Sequence, residues 1–233
     1  MLTKTAIEEI ERASLQEGLK IIASLYPGQV VFSSSLGQED QVITDAVCKN
    51  SIPVTIFTID TGRLFNETYE LLEKTNARYR QSIQVYFPEA KDVEEFVVKK
   101  GINSFYESVE NRKECCHIRK VKPLNRALAG AKVWITGLRA EQSSNRQQMP
   151  MIEWDESKQL YKYNPLINWS YEDVAGYINT FNVPYNSLHD KGFLSIGCAP
   201  CTRVVEPGED ARAGRWWWEA SHKECGLHQT VVK

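Results

Sequence analysis

The chain has 233 residues, with 28 Lys plus Arg against 30 Asp plus Glu and a formal net charge of −2; 42% of it is hydrophobic and 25% charged. This is the mixture of a soluble globular protein able to enclose one sizeable core, and the balanced charge argues against nucleic-acid binding by bulk electrostatics, which needs excess cations to displace counterions. No apolar run approaches a membrane span, and the acidic, amphipathic start MLTKTAIEEIERASLQEGLK is unlike a signal peptide, so a cytoplasmic location with no membrane partner is expected.

Ile7, Ile10, Leu15, Leu19 and Ile22 recur at helical spacing and predict one leading helix over 5–25, stopped by Pro27-Gly28. QVVFS (29–33) reads as a buried strand, followed by the small polar turn SSSLGQED and a helix through DQVITDAVCK. PVTIFTI (53–59) is a second strand ending at Asp60-Thr61-Gly62. A helix over LFNETYELLEKTNARY leads to a third strand, SIQVYF. Further helices are predicted over DVEEFVVKKG and ECCHIRKVKPLNRALAG, the latter broken near Pro123, before a fourth strand, KVWIT (132–136). Alternating strands and helices imply an α/β fold with a mostly parallel, doubly wound sheet. Beyond Gly137, MIEWDE and QLYKYNPL predict a small antiparallel piece, and SYEDVAGYINTFN a helix capped at Ser170. One domain over 1–206 with a C-terminal segment over 207–233 is the expected organisation.

Where β-strand gives way to helix, SSSLGQED offers small hydroxyl donors at Ser33, Ser34 and Ser35, backbone room at Gly37 and a helix N-terminus, features that suit an anion. It is neither GxxxxGK[ST] nor GxGxxG. The DTGRL turn after the second strand occupies the matching position for a second ligand loop.

Six cysteines in a chain of this length are too sparse for a disulfide scaffold. Cys48, in TDAVCKN, reads as an ordinary helix residue. Cys115-Cys116 and the C-x-x-C of Cys198 and Cys201 supply four thiolates, a number that suits zinc or an iron–sulfur cluster. Adjacent cysteines would crowd one small ion, whereas an iron cube offers each its own corner, which favours [4Fe–4S]. Arg119 and Lys120 follow Cys116 at i+3 and i+4, on one helix face, where Lys120 could couple the centre to a bound anion. Cys225, in HKECGLHQ, is flanked by His222, Lys223 and His228, cationic neighbours that favour thiolate. Upstream, ARAGRWWWE sets Arg212 and Arg215, suited to phosphate or sulfate, beside three tryptophans suited to packing.

These segments together, SSSLGQED, DTGRL, ECCHIRKVKPL, ITGLRAEQSSNR, LYKYNPL, PYNSLHDKGFLSIGCAPCTR and GRWWWEASHKECGLH, resemble assimilatory adenylyl-sulfate (adenosine 5′-phosphosulfate, APS) reductases, relatives of phosphoadenylyl-sulfate (PAPS) reductases, over nearly the whole chain. The resemblance implies an adenine-nucleotide α-hydrolase-like sheet and one [4Fe–4S] cluster per chain on Cys115, Cys116, Cys198 and Cys201. It implies Cys225 as nucleophile and Lys120, Arg139, Arg146, Arg212 and Arg215 as basic residues around the phosphosulfate. Ser33, Ser35, Asp60, Thr61 and Gly62 fall in the nucleotide loops. The family's loop usually reads close to SFSGAED; here a serine replaces the aromatic and Leu36 adds bulk. Implied partners are APS or PAPS as substrate, thioredoxin or a similar dithiol as reductant, and further copies of the chain in a homo-oligomer. Three rivals remain: a reductase confined to PAPS, whose members generally lack the four cluster cysteines; an ATP-pyrophosphatase, which would need an SGGxDS-like loop; and a zinc-stabilised binding module.

Overall fold

The structure, a computed structural model, describes residues 1–143 and 146–219. Fourteen regular elements follow one another: α1 Lys4–Arg12, α2 Leu15–Leu25, β1 Val30–Ser33, α3 Gln38–Lys49, β2 Thr55–Ile59, α4 Asn66–Tyr79, β3 Gln84–Tyr86, α5 Ala90–Lys100, α6 Val109–Cys116, α7 Lys122–Ala127, β4 Val133–Ile135, β5 Ile152–Asp155, β6 Leu160–Tyr163 and α8 Tyr171–Phe181. The strands form one sheet in the order β3-β2-β1-β4-β6-β5. β1 runs parallel to β2 and β4, β4 runs parallel to β6, and β5 runs antiparallel to β6. Val30, Phe32, Ile56, Phe57, Val133 and Ile135 are all buried, as strands covered on both faces require. The mostly parallel α/β sheet expected from the alternation is present.

One expectation is corrected. The leading helix is two helices, because Ala13 is extended and Ser14 caps α2 in a box with Glu17, each side chain meeting the other's backbone N–H. Periodicity carried across the break, but the S-x-x-E signal decides the local structure. MIEWDE and QLYKYNPL form the expected antiparallel pair, β5 with β6, and the pair extends the main sheet, since Val133, Trp134 and Ile135 of β4 pair in register with Tyr161, Lys162 and Tyr163 of β6. The helix expected near Pro123 does break there. α6 passes through a π-helical turn, His117–Val121, closed by Lys122 N–H donating to the His117 carbonyl, before α7 begins with Pro123 in its first turn. Proline has no N–H to give the preceding turn, and the widened turn resets the ladder.

The chain divides into two compact units, one of Met1–Thr58, Asn66–Gln84 and Gly130–Ser187, the other of Ile59–Phe65, Val85–Ala129 and Leu188–Lys233. The first holds the large apolar core, with Ile10, Leu19, Phe32, Ile43, Val133 and Tyr163 among its buried members. The second holds a smaller cluster of Phe105, Cys116, Cys198, Cys201 and Trp216, with Cys115 and Trp218 against it. Cys48 is a half-buried residue of α3, as expected, its thiol pushed up to about 11 by burial. Ser170 caps α8 in a box with Asp173, also as expected.

Candidate active site

In the first unit, β1 ends at Ser33 and the chain turns over residues 34–37 into α3. The turn is held from inside. Ser34 donates its N–H to the Phe57 carbonyl, and its hydroxyl accepts from Leu36 N–H. Leu36 adopts a left-handed φ of 61° yet buries its side chain in the core. Burying a leucine gains about 2 kcal/mol, enough to offset the roughly 1–2 kcal/mol cost of that backbone. The bulk that sets this loop apart from SFSGAED therefore fixes its path.

Asp40, in the first turn of α3, accepts from both the Ser35 N–H (2.6 Å) and the Ser35 hydroxyl (2.7 Å). Its carboxyl also explains Gly137, where an added Cβ would lie 2.0 Å from Asp40 Oδ1. Ser33 accepts from the Trp134 indole at 2.7 Å, which leaves its hydroxyl hydrogen to point elsewhere, and Ser35 is exposed. Glu39 pairs with Arg139 at 2.8 Å, so the positive pole of α3 already faces two carboxylates of its own first turn. The turn is thus shaped to present hydroxyls and backbone rather than a bare cationic pole.

Burial raises the Asp40 carboxyl to about 7, against the lowering effect of the Ser35 hydrogen bonds and with the Glu39 charge adding to the rise. A carboxyl whose folded value exceeds its unfolded one stabilises the fold at low pH and loses that contribution as pH rises through the folded value. Stability should therefore fall by the order of a few kcal/mol between about pH 4 and pH 7 from this group. Urea unfolding of Asp40→Asn across that range should show this slope removed; an unchanged slope would contradict the assignment.

Arg139 and Arg146 are both buried in the polar loop after β4. Arg139 pairs with Glu39 and, at 3.1 Å, with Glu141, while Arg146 donates to the Gln142 side chain at 2.6 Å. The sequence singled out the two arginines but missed Glu39 and Asp40, the carboxylates that organise the loop. The signal was present as two adjacent acids in the first turn of a helix.

In the second unit, α6 and the 198–201 turn bring Cys115, Cys116, Cys198 and Cys201 to one cavity. Arg63, Arg112, Arg119 and Lys120 line the same cavity. Among the described residues, no three Cys, His, Asp or Glu side chains converge on the position of a single metal ion. Burial pushes the Cys201 thiol up to about 12, with Cys198 adding to the rise and Lys120 and Arg215 opposing it. The Cys115 thiol is also raised by burial, against the pull of Arg119. Such buried thiols are poor free nucleophiles and better suited to ligation, in which the metal displaces the proton. The indole N–H groups of Trp216 and Trp218, buried in the same cluster, find no acceptor among the described residues. Sulfide and thiolate sulfurs are the acceptors an iron–sulfur cluster would bring, so the donor set and its surroundings fit that group.

Asp60, Thr61 and Gly62 follow β2 directly. Asp60 accepts from Gly62 N–H at 2.7 Å, and the buried Thr61 hydroxyl lies 3.3 Å from Cys198 Sγ. Gly62 takes a φ of 70°, available to glycine without strain, and packs where a Cβ would touch the Arg119 guanidinium at 3.4 Å. Arg119 and Lys120, expected to share a face, both line the cavity. Arg119 is buried and donates to the Thr61 carbonyl at 2.7 Å, whereas Lys120 is half-buried on the cavity wall.

Arg212 sits half-buried on a turn, its N–H donating to Asp210. Arg215 is buried against Gly197, donates to the Ser195 hydroxyl and the Ile196 carbonyl, and lies 4.8 Å from the Trp216 ring centroid. Of the three tryptophans, Trp216 is fully buried, Trp218 is half-buried and Trp217 exposed. Cys225, His222, Lys223 and His228 lie outside the described residues.

Residues 29–204 match the family model described as the phosphoadenosine phosphosulfate reductase domain. The chain is 50% identical over 205 residues to an adenosine 5′-phosphosulfate reductase of Burkholderia cepacia, covering 88% of this chain and 82% of that protein. It is 49% identical over 226 residues to one of Sinorhizobium fredii (strain USDA 257), covering 97% and 90%. Among solved structures, the phosphate complex of phosphoadenylyl-sulfate (PAPS) reductase from Candida auris superposes with a TM-score of 0.72 at 32% identity, over 88% of this chain and 98% of that one. Among the described residues, no helix is long and apolar enough to cross a membrane.

Proposed function

The chain belongs to the phosphoadenosine phosphosulfate reductase family, and from that premise we propose that it reduces adenosine 5′-phosphosulfate to sulfite and AMP with electrons from a thioredoxin-type dithiol. The observation that carries this reading is the gathering of Cys115, Cys116, Cys198 and Cys201 on one cation-walled cavity. It is supported by the proteins named APS reductase that are about half identical over nearly the whole chain.

The Cys225 thiolate attacks the sulfuryl sulfur, the bridging S–O bond breaks, and AMP leaves with the electron pair. This forms a Cys225 S-sulfonate and divides one difficult reduction into two displacements. A dithiol thiolate then attacks the Cys225 sulfur and expels sulfite. The resulting mixed disulfide is resolved by the second thiol, so the dithiol ends as a disulfide and Cys225 as thiolate. Ser33, Ser35, Asp60, Thr61 and Gly62 bind the nucleotide. Lys120, Arg139, Arg146, Arg212 and Arg215 offset the charge that builds on the phosphate oxygens as AMP leaves. A [4Fe–4S] cluster on the four cysteines would supply a fixed anionic centre beside Lys120, and every electron in the two displacements comes from thiols.

Sulfite release after anaerobic purification, with APS and PAPS compared under reduced thioredoxin, tests the reading. About four irons per chain and at least about tenfold faster turnover of APS are expected. Faster turnover of PAPS would assign the alternative substrate, and no sulfite from either would overturn the proposal.

A further inference from the structure

Arg112 and Glu219 form a bidentate ion pair, Nε to Oε1 at 2.8 Å and Nη2 to Oε2 at 2.7 Å, with each side chain only 3% exposed. Neither residue has a part in the chemistry above. Arg112 lies on α6, three residues before Cys115 and four before Cys116, so all three share one helix face. Glu219 is the last described residue before the tail that carries Cys225. Its N–H donates to the Trp216 carbonyl, and the Trp216 N–H donates to the carbonyl of Cys201. The guanidiniums of Arg112 and Arg215 lie 4.7 and 4.8 Å from the Trp216 ring centroid. Trp216 holds a φ of 43°, a conformation that a bulky residue keeps only when its surroundings impose it. Residues 216–219 are thus fastened to both cysteine-bearing segments, to α6 through Arg112 and to the 198–201 turn through the Trp216 backbone.

We infer that the Arg112–Glu219 pair is a clasp that positions the nucleophile-bearing tail, tying the place from which Cys225 departs to the wall formed by the four cysteines. The inference rests on the proposed function for the role of Cys225, while the clasp itself rests on the ion pair and the strained tryptophan. Five residues lie between Glu219 and Cys225, six steps of chain with a reach of at most about 20 Å. Fixing one end of so short a segment limits where the sulfur can go. A buried ion pair adds little stability over well-packed apolar groups, but its paired hydrogen bonds set direction, which apolar contact does not. In this arrangement Arg112 and Glu219 are positioning residues.

Two variants of the full chain, with Arg112→Lys as a conservative third, all purified anaerobically, test this. Glu219→Gln keeps the shape and removes the charge. The double variant Arg112→Met with Glu219→Leu leaves no lone buried charge to unfold the protein. Four readouts are needed: tryptic cutting after Lys223, the single-turnover rate of SO3 transfer to Cys225 at saturating APS, AMP affinity and visible absorbance. In both variants the Lys223 cut should quicken about tenfold, with cuts elsewhere unchanged. SO3 transfer should slow about tenfold while AMP affinity stays within about twofold, and Arg112→Lys should fall between variant and wild type. Wild-type cutting at Lys223 in both variants would overturn the clasp. So would loss of the visible cluster absorbance in the double variant, since the pair would then be holding the cluster rather than the tail. If the wild type itself takes up no SO3 at Cys225, the proposed function fails, and the Lys223 cut still decides the clasp.

Discussion

Cys225→Ser is expected to lower sulfite release by at least about a thousandfold while leaving the protein folded, its iron content intact and its AMP affinity unchanged. A hydroxyl is too weak a nucleophile at neutral pH to displace AMP from the sulfuryl sulfur, and it cannot afterwards exchange with a dithiol. The other four cysteines of the site cannot substitute for it. Cys116, Cys198 and Cys201 are buried out of reach of substrate, and burial raises the Cys115 and Cys201 thiols, which keeps those two sulfurs out of the thiolate form when no metal holds them. Cys225 has the opposite setting in the sequence, with His222, Lys223 and His228 close by. Thioredoxin-dependent sulfite release at wild-type rate in the serine variant would remove Cys225 from the mechanism.

The second large effect is expected at Cys198. Cys198→Ala should strip iron from the protein and reduce sulfite formation by about a hundredfold or more, read by iron analysis, visible absorbance and turnover together. The residue is buried among Phe105, Cys116, Cys201 and Trp216, and its sulfur meets the Thr61 hydroxyl. Its loss therefore disturbs both the thiol set and the loop that follows β2. Full iron content in the alanine variant would show that this sulfur is not a ligand.

Much of the framework could be read from the residues because its signals are local. VVFS and TIFTI are short β-branched or aromatic runs, and each is followed by turn residues and a helix. Ser170 announces a helix start by its own side chain and that of Asp173. What escaped depends on partners distant in sequence. That β6 joins the parallel sheet is a matter of its register with β4, which no pattern within LYKY encodes. Arg119 donates to the Thr61 carbonyl, a contact across 58 residues of chain. The candidate site divides in the same way. Cys115, Cys116, Cys198 and Cys201 stand out by spacing alone, whereas Asp40, Glu39, Arg112 and Glu219 are ordinary surface types in sequence and become informative only when found buried or half-buried and paired. Glu219, directly after three tryptophans, carried a faint signal, a charge in a segment otherwise suited to packing.

The most direct test of the account is an intact-mass spectrum of the reduced, cluster-loaded protein mixed with excess APS and no dithiol. The account predicts a single added SO3 that localises to Cys225 on peptide mapping and disappears, with release of sulfite, when reduced thioredoxin is added. A protein that gains no SO3 there, yet turns over APS once thioredoxin is present, would contradict it.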